Sequence, residues 1–536
     1  MVVPELRPWQ AAKPQVVRVV NAVRPRLAGA VTAARPRIAR LAKAVRVGPV
    51  HLPRLPRPRT VRTWQYTAGA TTAGLALAVG VVTVAGPWDA NGQRTAERDR
   101  VAALERSGGA DHGGSGAAAG APLPAPSAGP VLAGLGGATT VVDTKKGAPA
   151  GKAVSDLLGP LLGTPELGGG PGAAVVDVTT GERLYGSGAD KALAPASTTK
   201  IATAVAALSA LGPDHRLTTR TALEPDTREL VLVGGGDPTL TAHTRPGGWA
   251  GLRELAADTA KALGERGIRR ITLSYDTTLY TGPALHSIGV NENLAPVSAL
   301  AADEGRTGTS SSGPAVRVAD PAAHTAALFA GFLKDAGIST TPPGPSKAST
   351  RAETLATVTS PPLAALVERM LTNSDNDIAE ALARHTALAS GESASFAGGA
   401  RAIATQLRKL GLPLAGAVFH DGSGLDREDR LTAGLLTGLL AKAADPGRPG
   451  LRPVLTGLPV AGFTGTLRSR YTDGAAGFVR AKTGTLTGVN TLAGTVVDSD
   501  GHLLAFAFLA SGTTDAAQAQ SALDRTATAL AGCGCR

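Results

Sequence analysis

The stretch WQYTAGATTAGLALAVGVVTVAGPW, residues 64–88, carries no charged side chain. A helix needs about 20 such residues to cross a bilayer at 1.5 Å per residue. Trp64, Tyr66 and Trp88 stand at its two ends, where amphipathic rings favour the membrane–water boundary. The charge is placed to match. Residues 1–63 hold 14 Lys and Arg against one acid, Glu5, a net of +13, while the whole chain carries +12. The positive-inside rule then expects residues 1–63 in the cytoplasm and the chain beyond residue 88 outside. A buried core helix and a cleaved signal peptide are the alternatives; the Pro/Arg-rich and Gly/Ala-rich stretches on either side count against the first, and for the second Thr83-Val84-Ala85 weakly imitates a cleavage site. Its n-region would be 63 residues long, where a signal peptide has a short one, so the segment reads as an uncleaved anchor.

With the basic tail set aside the remaining chain is near neutral, which argues against electrostatic capture of nucleic acid by a folded part. The tail mixes Pro with Arg and reads as disordered; contact with anionic lipid heads is one role for it, a topology signal the other. Residues 89–152 read as a low-complexity linker, with GGADHGGSGAAAGAPLPAPSAGP at its centre. The only cysteines, Cys533 and Cys535, form a single CxC near the end. That excludes a disulfide framework and a cysteine zinc site.

From residue 153 onward the pattern is that of a folded α/β chain. GAAVVDVTTGERLYGS, 172–187, reads as strand, turn, strand, with Thr180-Gly181 at the turn. A helix follows from Ser197. Short strands alternate with helical stretches through residues 215–360. Helices are expected at 361–372, 377–388, 397–410 and 432–443, then strands around 478–511 and a last helix. The reading is a mixed sheet with helices on both faces. Residues 153–214 and 360–536 form the main domain, and 215–359 an inserted one.

Ser197 and Lys200 stand three apart where an apolar helix begins, in ALAPASTTKIATAVAALSAL. Positions i and i+3 share a helix face. A serine hydroxyl is a weak nucleophile until a base takes its proton, and a buried lysine can be that base. The plainer reading is a helix cap and a surface lysine. Yet of 13 lysines only Lys200 has a serine three residues before it. Ser374-Asp375-Asn376 interrupts two helical stretches, where a turn can point Ser374 and Asn376 the same way; alone it would pass for an N-cap. Lys482-Thr483-Gly484 lies on an expected strand, a charge and a hydroxyl beside a glycine that lets another backbone approach; alone it would pass for a surface strand.

In that order, SxxK, SxN and KTG are the mark of penicillin-binding proteins and class A β-lactamases. The chain resembles the penicilloyl-serine transferases. Ser374 follows Ser197 by 177 residues and Lys482 follows Ser374 by 108. The long first interval resembles the class C low-molecular-mass penicillin-binding proteins, the D-alanyl-D-alanine carboxypeptidase/endopeptidase family. LVGGGDPTL (232–240) and HDGSGLDREDRLTA (420–433) resemble further segments of that family, with Asp426 where serine is common. The resemblance covers roughly residues 153–531.

The resemblance implies an α/β (α+β) penicillin-binding transpeptidase/β-lactamase-like core with an inserted region. It implies a serine DD-peptidase acting on peptidoglycan stem peptides and acylated by β-lactams, with no cofactor and no metal. Carried onto this chain, Ser197 attacks, Lys200 takes its proton and Ser374 relays a proton to the leaving amine with help from Lys482. Asn376 binds the substrate amide and orients Lys200. Lys482, Thr483 and Thr485 hold the terminal carboxylate beside Gly484, and the N–H groups of Ser197 and Thr485 form the oxyanion hole. Two alternatives stand against it. A β-lactamase would need a glutamate-held water, and no Glu-x-x-Leu-Asn segment occurs; Glu380 reads as plain helix. A non-catalytic peptidoglycan-binding protein would be expected to lack a motif residue. Asp237 reads as a turn former. Ser423 reads as structural, so a His420–Asp421–Ser423 triad is disfavoured.

Overall fold

Alternation along one strand explains the main domain. In Leu503–Ser511 the residues Ala505, Ala507 and Leu509 enter one apolar core, while Leu504, Phe506, Phe508 and Ala510 enter another. A strand apolar on both faces must be covered on both faces. This computed structural model describes residues 150–244, 247–471 and 474–534. The tail expected at 1–63, the anchor at 64–88 and nearly all of the linker at 89–152 lie outside the described residues. Among those described, no helix is long and apolar enough to cross a membrane.

Helix α1 (Gly151–Leu162) leads into a hairpin of β1 (Gly172–Asp177) and β2 (Arg183–Ser187). Gly181 takes φ +75° at the turn between them, a conformation that costs glycine little. A 3-10 turn at Ala196–Thr198 then opens α2 (Thr199–Leu211). The chain next builds a second sheet. Its strands are β3 (Thr218–Leu223), β4 (Glu229–Val233), β5 (Arg270–Asp276), the short β6 (Ser339–Thr340) and β7 (Gly344–Pro345), and β8 (Glu353–Thr359). Helices α3 (Leu252–Glu265) and α4 (Pro321–Asp335) pack on it around Leu230, Leu232, Leu263, Leu273, Phe329 and Leu333.

The chain returns through α5 (Leu363–Asn373), α6 (Asn376–Ala389), α7 (Phe396–Lys409) and α8 (Ala433–Ala444). It closes with β9 (Val479–Leu486), β10 (Val489–Val497), β11 (Leu503–Ser511) and α9 (Ala516–Ala531). The first sheet runs β2-β1-β11-β10-β9, and the second runs β6-β5-β4-β3-β8 with β7 also on β5. Helices α1 and α9 cover one face of the first sheet, and α2 with α5–α8 the other.

One expectation is refined. The sheet of the main domain is antiparallel throughout, because β9–β10 and β10–β11 are joined by turns too short for a crossover. The parallel pairs, β4–β5, β5–β6 and β5–β7, all belong to the second sheet.

Candidate active site

Three separate devices set the polar residues of the site. Ser197 sits in the 3-10 turn just before α2, following Ala196 at φ +48°. Ser374 ends α5 in the left-handed region, at φ +58°. One residue on, Asp375 caps α6 by accepting the Ile378 N–H at 3.0 Å, so the chain turns sharply and Ser374 and Asn376 flank the corner. The plain N-cap reading of this motif is therefore met by Asp375, and its two neighbours are left for other work. Lys482, Thr483 and Gly484 lie on β9, the edge strand of the sheet.

Gly484 is where β9 meets the Ser197 turn. A Cβ there would run into Thr491 Oγ1, and would lie 2.8 Å from the Pro195 carbonyl and 3.1 Å from Ala196 Cβ. Thr491, opposite Gly484 on β10, donates its hydroxyl to that same carbonyl at 2.8 Å. The glycine allows the edge strand to lie against the turn that carries Ser197.

Lys200 is fully buried. Its Nζ lies 3.1 Å from Ser197 Oγ, 2.6 Å from Asn376 Oδ1 and 2.6 Å from the Ser423 carbonyl. The last two are acceptors. An uncharged amine has two N–H bonds and one lone pair. With both N–H bonds given to Asn376 and Ser423, the lone pair faces the Ser197 hydroxyl, as a general base requires. Burial brings the Lys200 amine down to about 8, against the opposing pull of Asp421, Glu380, Asp375 and Asp377.

Lys482 is equally buried, and donates to Ser374 Oγ and to the Thr483 carbonyl, both at 2.8 Å. Burial first, then the neighbouring Lys200 charge, hold its amine well below the ordinary lysine range. Thr483 donates to Thr466 Oγ1 at 3.0 Å, and Thr485 is exposed on the same strand. Ser197 and Lys200, Ser374 and Asn376, and Lys482 are thus joined by direct hydrogen bonds across three distant segments, with Thr483, Gly484 and Thr485 running alongside.

Several members of the site carry no sequence signal of their own. Asn376 Nδ2 donates to the Asn293 carbonyl at 2.8 Å, a contact from the inserted region. Glu380, one turn along α6, is fully buried; its Oε1 accepts the N–H of Gly422 at 3.0 Å and of Ser423 at 2.9 Å. Ser423 acts on Lys200 through its carbonyl, which no side-chain motif reveals. Its hydroxyl turns to Asp421 at 3.1 Å. Asp421 is bonded to His286 at 3.0 Å rather than to the neighbouring His420, so the segment does not form a triad around His420. Asp237 holds the Thr239 N–H and hydroxyl, as a turn former does.

Two groups bring three ligand-type side chains close together: His286 with Glu380 and Asp421, and Glu304 with Asp375 and Asp377. In the first, Glu380, Asp421 and His286 are all engaged by N–H donors, including Ile288 N–H on His286 Nδ1. In the second, Arg306 meets Glu304 and Arg317 meets Asp377. Both are hydrogen-bonded and ion-paired frameworks behind the site.

The chain is similar to several known proteins. Residues 155–315 and 307–530 match the D-Ala-D-Ala carboxypeptidase 3 (S13) family. The chain is 36% identical over 413 residues to carboxypeptidase DacB of Mycolicibacterium smegmatis, which covers 74% of this chain and 87% of that protein. It is 35% identical over 439 residues to a carboxypeptidase of Mycobacterium tuberculosis, covering 79% of this chain and 92% of that one. The crystal structure of penicillin binding protein 4 from Haemophilus influenzae is similar in fold. Its TM-score is 0.57 at 23% identity, over 68% of this chain and 94% of that one.

Proposed function

Since this chain belongs to the D-Ala-D-Ala carboxypeptidase 3 (S13) family, we propose that it is a serine carboxypeptidase removing the terminal D-Ala from peptidoglycan stem peptides. The observation that carries the reading is the contact of Ser197 Oγ with the fully buried Lys200 amine at 3.1 Å.

Lys200 takes the Ser197 proton as Oγ attacks the carbonyl of the D-Ala–D-Ala bond. Asn376 and the Ser423 carbonyl hold Lys200 while it does so. Ser374, hydrogen-bonded to Lys482, passes a proton to the departing D-Ala amine. The incoming carboxylate meets Lys482, whose lowered affinity for a proton is restored by the arriving negative charge; Thr483 and Thr485 complete that subsite. The Ser197 and Thr485 N–H groups receive the oxyanion. Water then cleaves the acyl-enzyme. A β-lactam follows the same path to a covalent adduct. Residues 64–88 tether the enzyme to the cell membrane with residues 1–63 in the cytoplasm and the catalytic domain outside, supported by the charge asymmetry of the sequence.

Intact-mass spectrometry of the full-length chain with benzylpenicillin, beside Ser197→Ala, tests the reading, together with release of D-alanine from a D-Ala-D-Ala-ending pentapeptide. A lasting adduct on the wild type alone and release of D-alanine support it. Rapid penicillin turnover without D-alanine release would make the protein a β-lactamase, and neither reaction would leave a peptidoglycan-binding protein.

A further inference from the structure

Residues 421–424, Asp-Gly-Ser-Gly, form a tight buried turn whose Ser423 carbonyl is one of the two acceptors that orient Lys200. One side chain organises it. Asp421 Oδ1 accepts the N–H of Ser423 at 3.0 Å and of Gly424 at 2.6 Å. Its Oδ2 accepts the Ser423 hydroxyl at 3.1 Å and the Asp426 N–H at 2.8 Å. The turn lies tight against the nucleophile: Gly424 has φ +80°, and a Cβ there would collide with the Ala196 carbonyl and lie 2.8 Å from Thr199 Oγ1. A small displacement of the turn therefore displaces the carbonyl on Lys200.

A further bond to Asp421 comes from the region between β5 and α4. His286 Nε2 lies 3.0 Å from Asp421 Oδ2, and both side chains are buried. The Ile288 N–H points at His286 Nδ1 at 3.2 Å. Nδ1 is thus the acceptor, and the ring proton is on Nε2, aimed at Asp421. The ring is held edge-on to Phe396 at 5.0 Å between centroids. His286 belongs to the region between β5 and α4, separate in sequence from every catalytic motif.

We infer that His286 is a positioning residue for the general base: it anchors Asp421, Asp421 shapes the 421–426 turn, and the Ser423 carbonyl of that turn aims the Lys200 lone pair at Ser197. This rests on the acyl-transfer reading above. The region between β5 and α4 thereby contributes to the reaction through the turn that holds Lys200. Glu380, which binds the Ser423 N–H from the other side, serves the same turn. The charged groups acting on Lys200 are Asp421, Glu380, Asp375 and Asp377, with the second amine of Lys482 beside it. Those around His286 are Asp421, Glu380 and Asp426. Asp429, next to Asp421, is driven by burial and by the Asp421 charge up to about 10 and stays uncharged at neutral pH.

The test measures the rate of acylation of the full-length chain by benzylpenicillin as a function of pH, with the melting temperature recorded alongside. His286→Ala leaves Asp421 short of a donor; acylation slows about 10- to 100-fold, as expected for a displaced base, while the initial non-covalent binding of the drug is unchanged. His286→Gln places an amide N–H where Nε2–H was, and acylation returns to within about threefold of wild type. Asp421→Asn removes a negative charge that favours the Lys200 cation and sets an amide N–H against donors that the carboxylate had accepted, so acylation slows and the rising limb of its profile moves to lower pH. His286→Leu, which fills the space of the ring and carries no donor, replaces the alanine variant if the cavity left by His286→Ala prevents folding, and it should be equally slow. The inference is overturned if His286→Ala acylates at the wild-type rate, if the Gln variant is as slow as the Ala variant, or if the Asp421→Asn profile superimposes on the wild type. A wild-type chain that is not acylated at all would instead overturn the peptidase reading.

Discussion

Asn376 Oδ1 lies 2.6 Å from Lys200 Nζ, although 176 positions separate the two residues. The whole second sheet, β3 to β8, lies in the chain between them, yet the fold brings the two side chains together. Lys200 has almost no freedom left: burial removes water, and Asn376 and Ser423 take its two N–H bonds. The amine is held in the one orientation in which it can relieve Ser197 of a proton.

Lys200→Ala therefore removes the base and leaves the nucleophile. The acylation rate with benzylpenicillin should fall by about 10²–10⁴-fold, the usual contribution of a general base, while Ser197→Ala should give no adduct at all. Asn376→Ala should fall between wild type and Lys200→Ala, because Ser423 still orients the amine. Stopped-flow acylation with mass detection of the adduct ranks the three.

The pH dependence has a definite sign. Lys200 is a base only when uncharged, and burial has brought it down to about 8. Acylation should rise with pH through the neutral range and level off above about pH 8. The same lysine in the unfolded chain holds its proton to about 10.4. Between those values the unfolded state binds more protons, so this group makes stability rise with pH. A rate profile that is flat from pH 6 to 9 would contradict the assignment of Lys200 as base.

Gly484→Ala tests the seam between β9 and the Ser197 turn. The added methyl meets Thr491 Oγ1 and the Pro195 carbonyl, both within the bond that ties β10 to the nucleophile segment. Overpacking of this kind costs about 1–3 kcal/mol. The melting temperature should fall and acylation should slow together, since the strand that leaves its place carries Lys482 and Thr483 with it.

The sequence made the three motifs legible because each carries reactive side chains at a spacing that one turn of backbone can present together. The helices at 376–389 and 433–444 were legible from apolar periodicity alone. What stayed hidden follows from physics. Glu380 reads as an ordinary helical residue because its role is fixed by Gly422 and Ser423 main-chain donors that fold onto it from far along the chain. The Ser423 carbonyl has no side-chain signature. His286 stands among Leu285, Ser287 and Ile288, where no periodicity marks it, and only the tertiary fold delivers its ring to Asp421. The pairing of β1 with β11 joins strands from opposite ends of the folded part, which short-range patterns do not encode.

Arg317 gives the last prediction. Its guanidinium is almost fully buried and lies 3.0 Å from Asp377 Oδ2, while its NH1 donates to the Glu304 carbonyl at 2.6 Å. Asp377 directly follows Asn376, and its other oxygen accepts the Ala295 N–H at 3.1 Å. This arginine from the inserted region therefore braces the first turn of α6 behind the site. Burial lifts the Asp377 carboxyl to about 7 in spite of Arg317. In Arg317→Met it would rise further. At pH 5 Asp377 is protonated with or without the arginine, and the variant loses mainly the bond to Glu304. At pH 8 the wild type holds an ion pair, whereas the variant must keep a proton that the unfolded chain, titrating near 3.9, has already released. The variant should thus be less stable than wild type at both values, with the larger deficit at pH 8. There it should approach the roughly 3–5 kcal/mol typical of a broken buried pair. Urea unfolding at the two pH values measures the difference, and an equal deficit at both would mean that Asp377 does not depend on Arg317 for its charge.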